Sequence, residues 1–168
     1  MKRGKKVIFV SHCLLNQNTR AIGREKYSGS VKDLLELFAE AGIGIVQLEC
    51  PQIEFNNGLD RKPVTTNSYN TNGYKENCQK MSSRIMKKIE LYLRKDYKVL
   101  GILGVEFSST CGVHQIQNGR RSVPGKGIFI EELETEMQKK NFQVPIIGVN
   151  LNNIFSSIEK IQSLLNFS

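Results

Sequence analysis

The sequence predicts an α/β domain, a three-layer sandwich around a small parallel sheet of about four strands. Two observations carry this reading. Short apolar runs alternate with longer segments of helical periodicity in the order βαβαβαβα, the pattern of parallel strands joined by right-handed helical crossovers. The runs are also continuously apolar, as strands covered on both faces are, whereas half-exposed strands would alternate. At 168 residues the chain suits one domain, residues 1–168, with a core that needs no disulfide staples.

The first strand reads Lys6-Val7-Ile8-Phe9-Val10, and a polar loop from Asn16 to Gly29 follows it. A helix is predicted over Ser30–Ala41, with Ser30 as N-cap, Asp33 three residues on, and Gly42 as the stop. Leu34, Leu35, Phe38 and Ala41 give it one apolar face. The second strand covers Ile43 to Leu48. From Pro51 to about Asn77 the chain reads as irregular and is rich in Asn, Gly, Thr and Tyr. A loop of that length in a compact domain is usually functional or disordered, and its position beside Cys50 suits a lid or substrate loop.

A second helix is expected over Lys80–Lys95, with Met81, Ile85, Ile89, Tyr92 and Leu93 inward. The third strand is Val99–Val105, and a loop from Glu106 to Gly127 follows. A third helix spans Ile128–Asn141, a fourth strand Pro145–Val149, and a last helix runs from Asn152 or Asn153 to Leu165. This is an arrangement of the Rossmann-like or flavodoxin-like kind. Strand order is not encoded in the pattern.

No apolar run is long enough to span a membrane. The basic start, Met1-Lys2-Arg3-Gly4-Lys5-Lys6, precedes an apolar stretch that breaks at Ser11-His12 without a small-residue cleavage site, so a cytoplasmic protein is expected. The net charge of +8 permits an anionic partner such as a phosphorylated small molecule or RNA, although no specific RNA-binding module is present. A lysine-rich surface that serves only solubility is the alternative.

Three of the four cysteines follow predicted strands: Cys13 after the first, Cys50 after the second, Cys111 after the third. Parallel strands would gather them at the carboxyl edge of the sheet, where open α/β folds place their chemistry. Converging thiolates in a reducing compartment point to a soft metal centre, with an iron–sulfur cluster as the leading reading. The C-x-x-C pairing of structural zinc sites is absent. Buried structural cysteines and a disulfide switch stay open. Cys78 stands apart, as a structural residue, a fourth ligand or a sulfur relay.

Other groups near the thiols complete the inventory. His12 and His114 titrate near neutrality. Glu49, Glu54 and Glu106 are candidates for moving protons, or else solvated charges paired with arginines. Ser108, Ser109 and Thr110 place hydroxyls beside Cys111. The basic, glycine-rich run Asn118–Gly127 leads into the third helix and resembles a phosphate cradle, without Walker spacing. Tyr69 and Tyr74 in the long loop offer rings that stack on a flat heterocycle.

Several of these segments together resemble the thiouracil desulfurase family, much of which carries only an unknown-function label. Ser11-His12-Cys13-Leu14-Leu15 is similar to its Ser-x-Cys-Leu-Leu motif. Cys50-Pro51-Gln52, with Gly58-Leu59-Asp60-Arg61 downstream, resembles its Cys-Pro-Glu motif with a following Gly-Leu and Arg. Ser108-Ser109-Thr110-Cys111-Gly112 resembles Ser-Pro-Ser-Cys-Gly, and Gly125-Lys126-Gly127-Ile128-Phe129 also fits. The likeness runs from about Val7 to Val149. It implies a [4Fe–4S] cluster held by Cys13, Cys50 and Cys111, with one iron open to the sulfur of a thiolated base, nucleoside or related thio-compound. Water would replace that sulfur and sulfide would leave. Gln52 and Thr110 would line the substrate side. Two positions depart from the family pattern: Gln52 stands where it has Glu, and Thr110 where it has Ser. An amide cannot relay a proton at neutral pH, so a non-catalytic cluster-based redox sensor or small-molecule-binding protein is the alternative function.

Overall fold

A computed structural model describes residues 2–55 and 58–166. The elements in order are β1 (Lys6–Val10), α1 (His12–Leu15), α2 (Lys32–Glu40), β2 (Gly44–Gln47), α3 (Pro51–Phe55), α4 (Asn72–Leu93), β3 (Lys98–Val105), β4 (Gln115–Asn118), β5 (Arg121–Pro124), α5 (Ile128–Lys140), β6 (Ile146–Val149) and α6 (Ile154–Asn166). Single 3-10 turns lie at Gln17–Thr19 and Thr66–Tyr69. Four strands form one parallel sheet in the order β2-β1-β3-β6. The three-layer α/β sandwich is therefore present, with the strand order that the sequence left open.

Alternate residues of β1 build the two faces. Val7 and Phe9 pack with α4 and α5, through Met81, Ile85, Ile89, Phe129 and Leu133. Ile8 and Val10 pack with α2 and α6, through Leu34, Phe38, Ile154 and Ile161. The crossover from β1 to β2 runs one way along the sheet, and the crossover from β2 to β3 runs back past β1. Connections of one hand put their helices on opposite faces when they run in opposite directions, as α2 and α4 do.

Four local expectations need correction. Ser30 does not cap α2: its hydroxyl donates to the Leu15 carbonyl at 2.7 Å, and Val31 holds the cap position without a side-chain bond. The segment after Cys50 is not irregular throughout. It opens with α3, and α4 begins at Asn72, eight residues earlier than its apolar spacing announced. Thr71 caps that helix by accepting from the Tyr74 amide at 3.3 Å, and Tyr74 and Cys78 extend its buried stripe toward the site. At the other end of α4, Leu93 is exposed, not inward. The loop after β3 contains the antiparallel β4–β5 hairpin, whose two-residue turn places Gly119 at φ +61°. Among the described residues, no helix is long and apolar enough to cross a membrane.

Candidate active site

In an open α/β sheet, ligands sit beyond the carboxyl ends of strands where the chain switches direction across the sheet. Here that point lies between β1 and β3. Cys13 leaves β1 on the one-turn helix α1, anchored where Ser11 donates both its amide (3.0 Å) and its hydroxyl (2.7 Å) to the Leu103 carbonyl. Cys50 follows β2, and its carbonyl starts α3 by accepting from the Ile53 amide at 3.1 Å. Cys111 follows β3 and its amide donates to Ser108 Oγ at 3.0 Å. All three line one cavity of about 100 Å³. Cys78 does not line it, being fully buried on α4.

The loop that carries Cys111 is built by close contacts. Glu106 closes it: its carboxylate accepts from the amides of Val113, His114 and Gln115 at 3.3, 3.1 and 2.9 Å, and meets His114 Nδ1 at 2.9 Å. Burial alone would raise this carboxyl, but the bonds from His114 and the backbone outweigh it and hold Glu106 below the ordinary value. The first residues of α5 complete the loop. The Phe129 amide donates to the Thr110 carbonyl at 3.0 Å, and the Gly127 amide to the Gly112 carbonyl at 2.8 Å. A Cβ on Gly127 would collide with the Thr110 backbone, so only glycine permits this approach.

That use of the α5 terminus overturns the phosphate-cradle reading of Asn118–Gly127. The amides that would hold a phosphate already serve the Cys111 loop, the run as far as Pro124 belongs to the hairpin, and Lys126 pairs with Glu134 at 2.6 Å. The carboxylates singled out from sequence also take other roles. Glu49 binds Arg84 at 2.6 Å, Glu54 lies 4.0 Å from the same guanidinium, and neither lines the cavity. His12 contacts Gln47 at 3.3 Å, outside the cavity lining, and burial lowers its pKa.

The polar wall of the cavity is a connected network. Arg61 Nη2 donates to Gln52 Oε1 at 2.7 Å, Gln52 Nε2 donates to Thr110 Oγ1 at 2.9 Å, and the Tyr74 hydroxyl lies 2.8 Å from the same Thr110 oxygen. Arg61 Nη1 also donates to the Thr19 carbonyl at 2.7 Å, which ties two loops over the site. Tyr69 lines the cavity, while Tyr74 is wholly buried, so its ring cannot stack on a ligand.

Arg20 and Arg24 join Arg61 in the lining, and among the described residues no carboxylate does. Among the described residues, the buried Nε–H groups of Arg20 and Arg61 have no hydrogen-bond partner. Sequence reading singled out Arg61 but missed Arg20, whose place depends on the fold of the segment after α1. A larger adjoining cavity of about 290 Å³ shares Arg20 and Arg24 and adds Lys26.

Burial pushes the Cys13 thiol up, with the Arg20 guanidinium opposing. Burial, reinforced by Cys13 and Cys50, pushes Cys111 up further. Uncompensated, such thiols hold their protons, whereas a bound cation deprotonates them outright. Burial raises Cys78 to about 12. Among the described residues, no group of three or more His, Cys, Asp or Glu is placed to hold a metal ion. A polynuclear iron–sulfur cluster makes a different demand, because it takes each cysteine on a separate iron. Three thiols from three loops on one cavity, with unpartnered guanidinium N–H groups beside them, suit such a group.

No family model matches the chain. It is 32% identical over 164 residues to the uncharacterized protein MJ0003 of Methanocaldococcus jannaschii, an alignment that covers 95% of this chain and 98% of that one. The fold is similar to that of the [4Fe-4S]-dependent thiouracil desulfidase TudS, with a TM-score of 0.56 and 19% identity across 97% of this chain and 99% of that one.

Proposed function

The chain belongs to the family of the Methanocaldococcus protein, and we propose that it is a [4Fe–4S]-dependent desulfurase acting on a thiolated pyrimidine base, nucleoside or related thio-compound. The observation that carries this reading is the convergence of Cys13, Cys50 and Cys111 on one cavity at the switch point of the sheet. The fold shared with a thiouracil desulfidase supports it.

The reaction replaces the sulfur of a thiocarbonyl with oxygen from water, whose two protons leave on the sulfur as hydrogen sulfide, so no electrons are gained or lost. A cluster held by three cysteines supplies Lewis acidity and a sulfur-binding position at its remaining iron. The protein's own residues do the rest. Thr110 and Gln52 orient the ring through hydrogen bonds. Arg20 and Arg61 put positive charge where negative charge develops on the departing sulfur and the incoming oxygen. Tyr69 and Val64 add apolar lining.

A second reading, a cluster-bearing redox sensor or binding protein without turnover, is favoured by Gln52, an amide clamped between Arg61 and Thr110 that cannot accept a proton from water. One experiment separates the readings. The protein is purified without oxygen, reconstituted, and assayed for iron, acid-labile sulfide and sulfide release from thiolated pyrimidines. About four iron and four sulfide per chain, lost on changing Cys13, Cys50 or Cys111 to Ser, together with sulfide release, is the expected result. A cluster without sulfide release favours the sensor, and no cluster overturns both.

A further inference from the structure

The cavity that the three cysteines line and the larger one beside it share Arg20, Arg24, Phe107 and Gln117. Phe107 thus stands at their junction, in the loop that carries Cys111. Its backbone lies in the left-handed region, at φ +62°. A bulky residue there is an outlier, and such conformations persist where the surroundings enforce them, often at ligand sites. Hydrogen bonds on both sides enforce this one. The Glu106 amide donates to the Val149 carbonyl at 2.9 Å, the Phe107 amide to the Gln115 carbonyl at 2.9 Å, and the Ser108 amide to the Val105 carbonyl at 3.3 Å. The turn needs the conformation and not the ring, since glycine or asparagine adopts it at lower cost.

Nor does the core account for the ring. Phe107 is partly exposed and, among the described residues, belongs to neither apolar cluster and meets no other aromatic ring. The other two rings near the site are already engaged. Tyr74 is wholly buried, and Tyr69 is 4% exposed and packs on Tyr74 with centroids 4.9 Å apart.

We propose that Phe107 is the platform on which the ligand's heterocycle stacks, at the junction of the two cavities. The inference rests on the desulfurase reading for the ligand's being a flat thiolated ring. An aromatic face holds a flat ring through overlap of π-faces and needs no particular pattern of donors and acceptors. A costly turn that carries a ring out of the core to the edge of the cysteine cavity fits that binding role.

The test is calorimetric titration of the anaerobically purified, reconstituted protein with uracil and dihydrouracil. The two present the same carbonyl and N–H groups, but dihydrouracil is puckered and has lost its aromatic face. Neither contains sulfur, so neither is turned over. The native protein is expected to bind uracil about tenfold more tightly, the scale of one base–aromatic stack. Phe107→Asn keeps the turn and removes the ring. It is expected to bind the two compounds equally weakly, with iron content unchanged and a urea midpoint no lower than that of the native protein. Phe107→Tyr is expected to keep the preference for uracil. Equal binding of the two compounds by the native protein, binding of neither, or a preference that survives in Phe107→Asn overturns the inference. A lower urea midpoint or lost iron in Phe107→Asn also overturns it, by making the ring a structural support. Sulfide release from thiolated pyrimidines, measured on the same preparations, keeps the two proposals apart. Release without the flat-ring preference overturns the stacking site alone, and the preference without release overturns the desulfurase alone.

Discussion

Thr110 is where the site's polar chemistry converges, because the Gln52 amide and the Tyr74 hydroxyl both bond its single hydroxyl oxygen inside a fully buried setting. Replacing it with valine keeps the shape and strands both the Tyr74 hydroxyl and a Gln52 N–H. An unsatisfied buried group costs about 1–3 kcal/mol, so Thr110→Val is expected to lower the urea midpoint accordingly. Adding Tyr74→Phe to Thr110→Val removes one stranded group and is expected to restore part of that loss. Additive losses in the double variant would show that the two hydroxyls are not coupled. Thr110 was singled out as a hydroxyl beside Cys111 and Gln52 through the motif resemblance, and both line the cavity. Tyr74 was misplaced: it reads as a loop ring, and only the early start of α4 turns its hydroxyl into a partner of Thr110.

At the scale of the element, the decisive piece is the β3–α5 connection, which folds back on itself so that Cys111 is held by side chain, hairpin and helix terminus together. Glu106 is the fastener. Its native pKa lies below the ordinary carboxyl value of 4.5, so the bonded carboxylate stabilises the fold at neutral pH. That stabilisation is lost as pH falls from about 4.5 through the lower native value. Glu106→Gln is therefore expected to be less stable than the native protein at neutral pH, with the difference shrinking in acid. Urea midpoints measured from pH 7 down to about 3 check this, and a constant difference would remove Glu106 from the account. Gly127→Ala probes the same element sterically. The added methyl meets the Thr110 backbone, so we expect a stability loss of about 1–3 kcal/mol and weakened iron binding, while Gly119→Ala in the hairpin turn should leave iron content intact. The strands and main helices were legible because apolar runs and apolar stripes have distinct periods. The hairpin was not, since Gln115-Ile116-Gln117 carries one apolar residue and its strands pair only with each other.

At the scale of the whole molecule, the sheet order decides what the sequence could not. Four strands apolar on both faces are interchangeable by pattern, and only the order β2-β1-β3-β6 puts the chain's reversal between β1 and β3 and brings Cys13, Cys50 and Cys111 to one cavity. Because those residues come from three separate crossovers, a cluster bound to all three ties the carboxyl edge of the sheet together. Anything that binds the native state and not the unfolded chain stabilises it by mass action. The reconstituted protein is thus expected to melt above the chelated form, by about 2–4 °C for each kcal/mol of linkage in a chain of this size. Changing any one of Cys13, Cys50 or Cys111 to Ser should abolish the gap and leave the chelated melting point nearly unaltered, since these residues are only partly buried. Cys78→Ala sharpens the test. It opens a small void in the core and lowers both melting points, yet the gap between reconstituted and chelated forms should survive. Disappearance of the gap in Cys78→Ala would make that thiol a fourth ligand and close the position at which a substrate sulfur would bind.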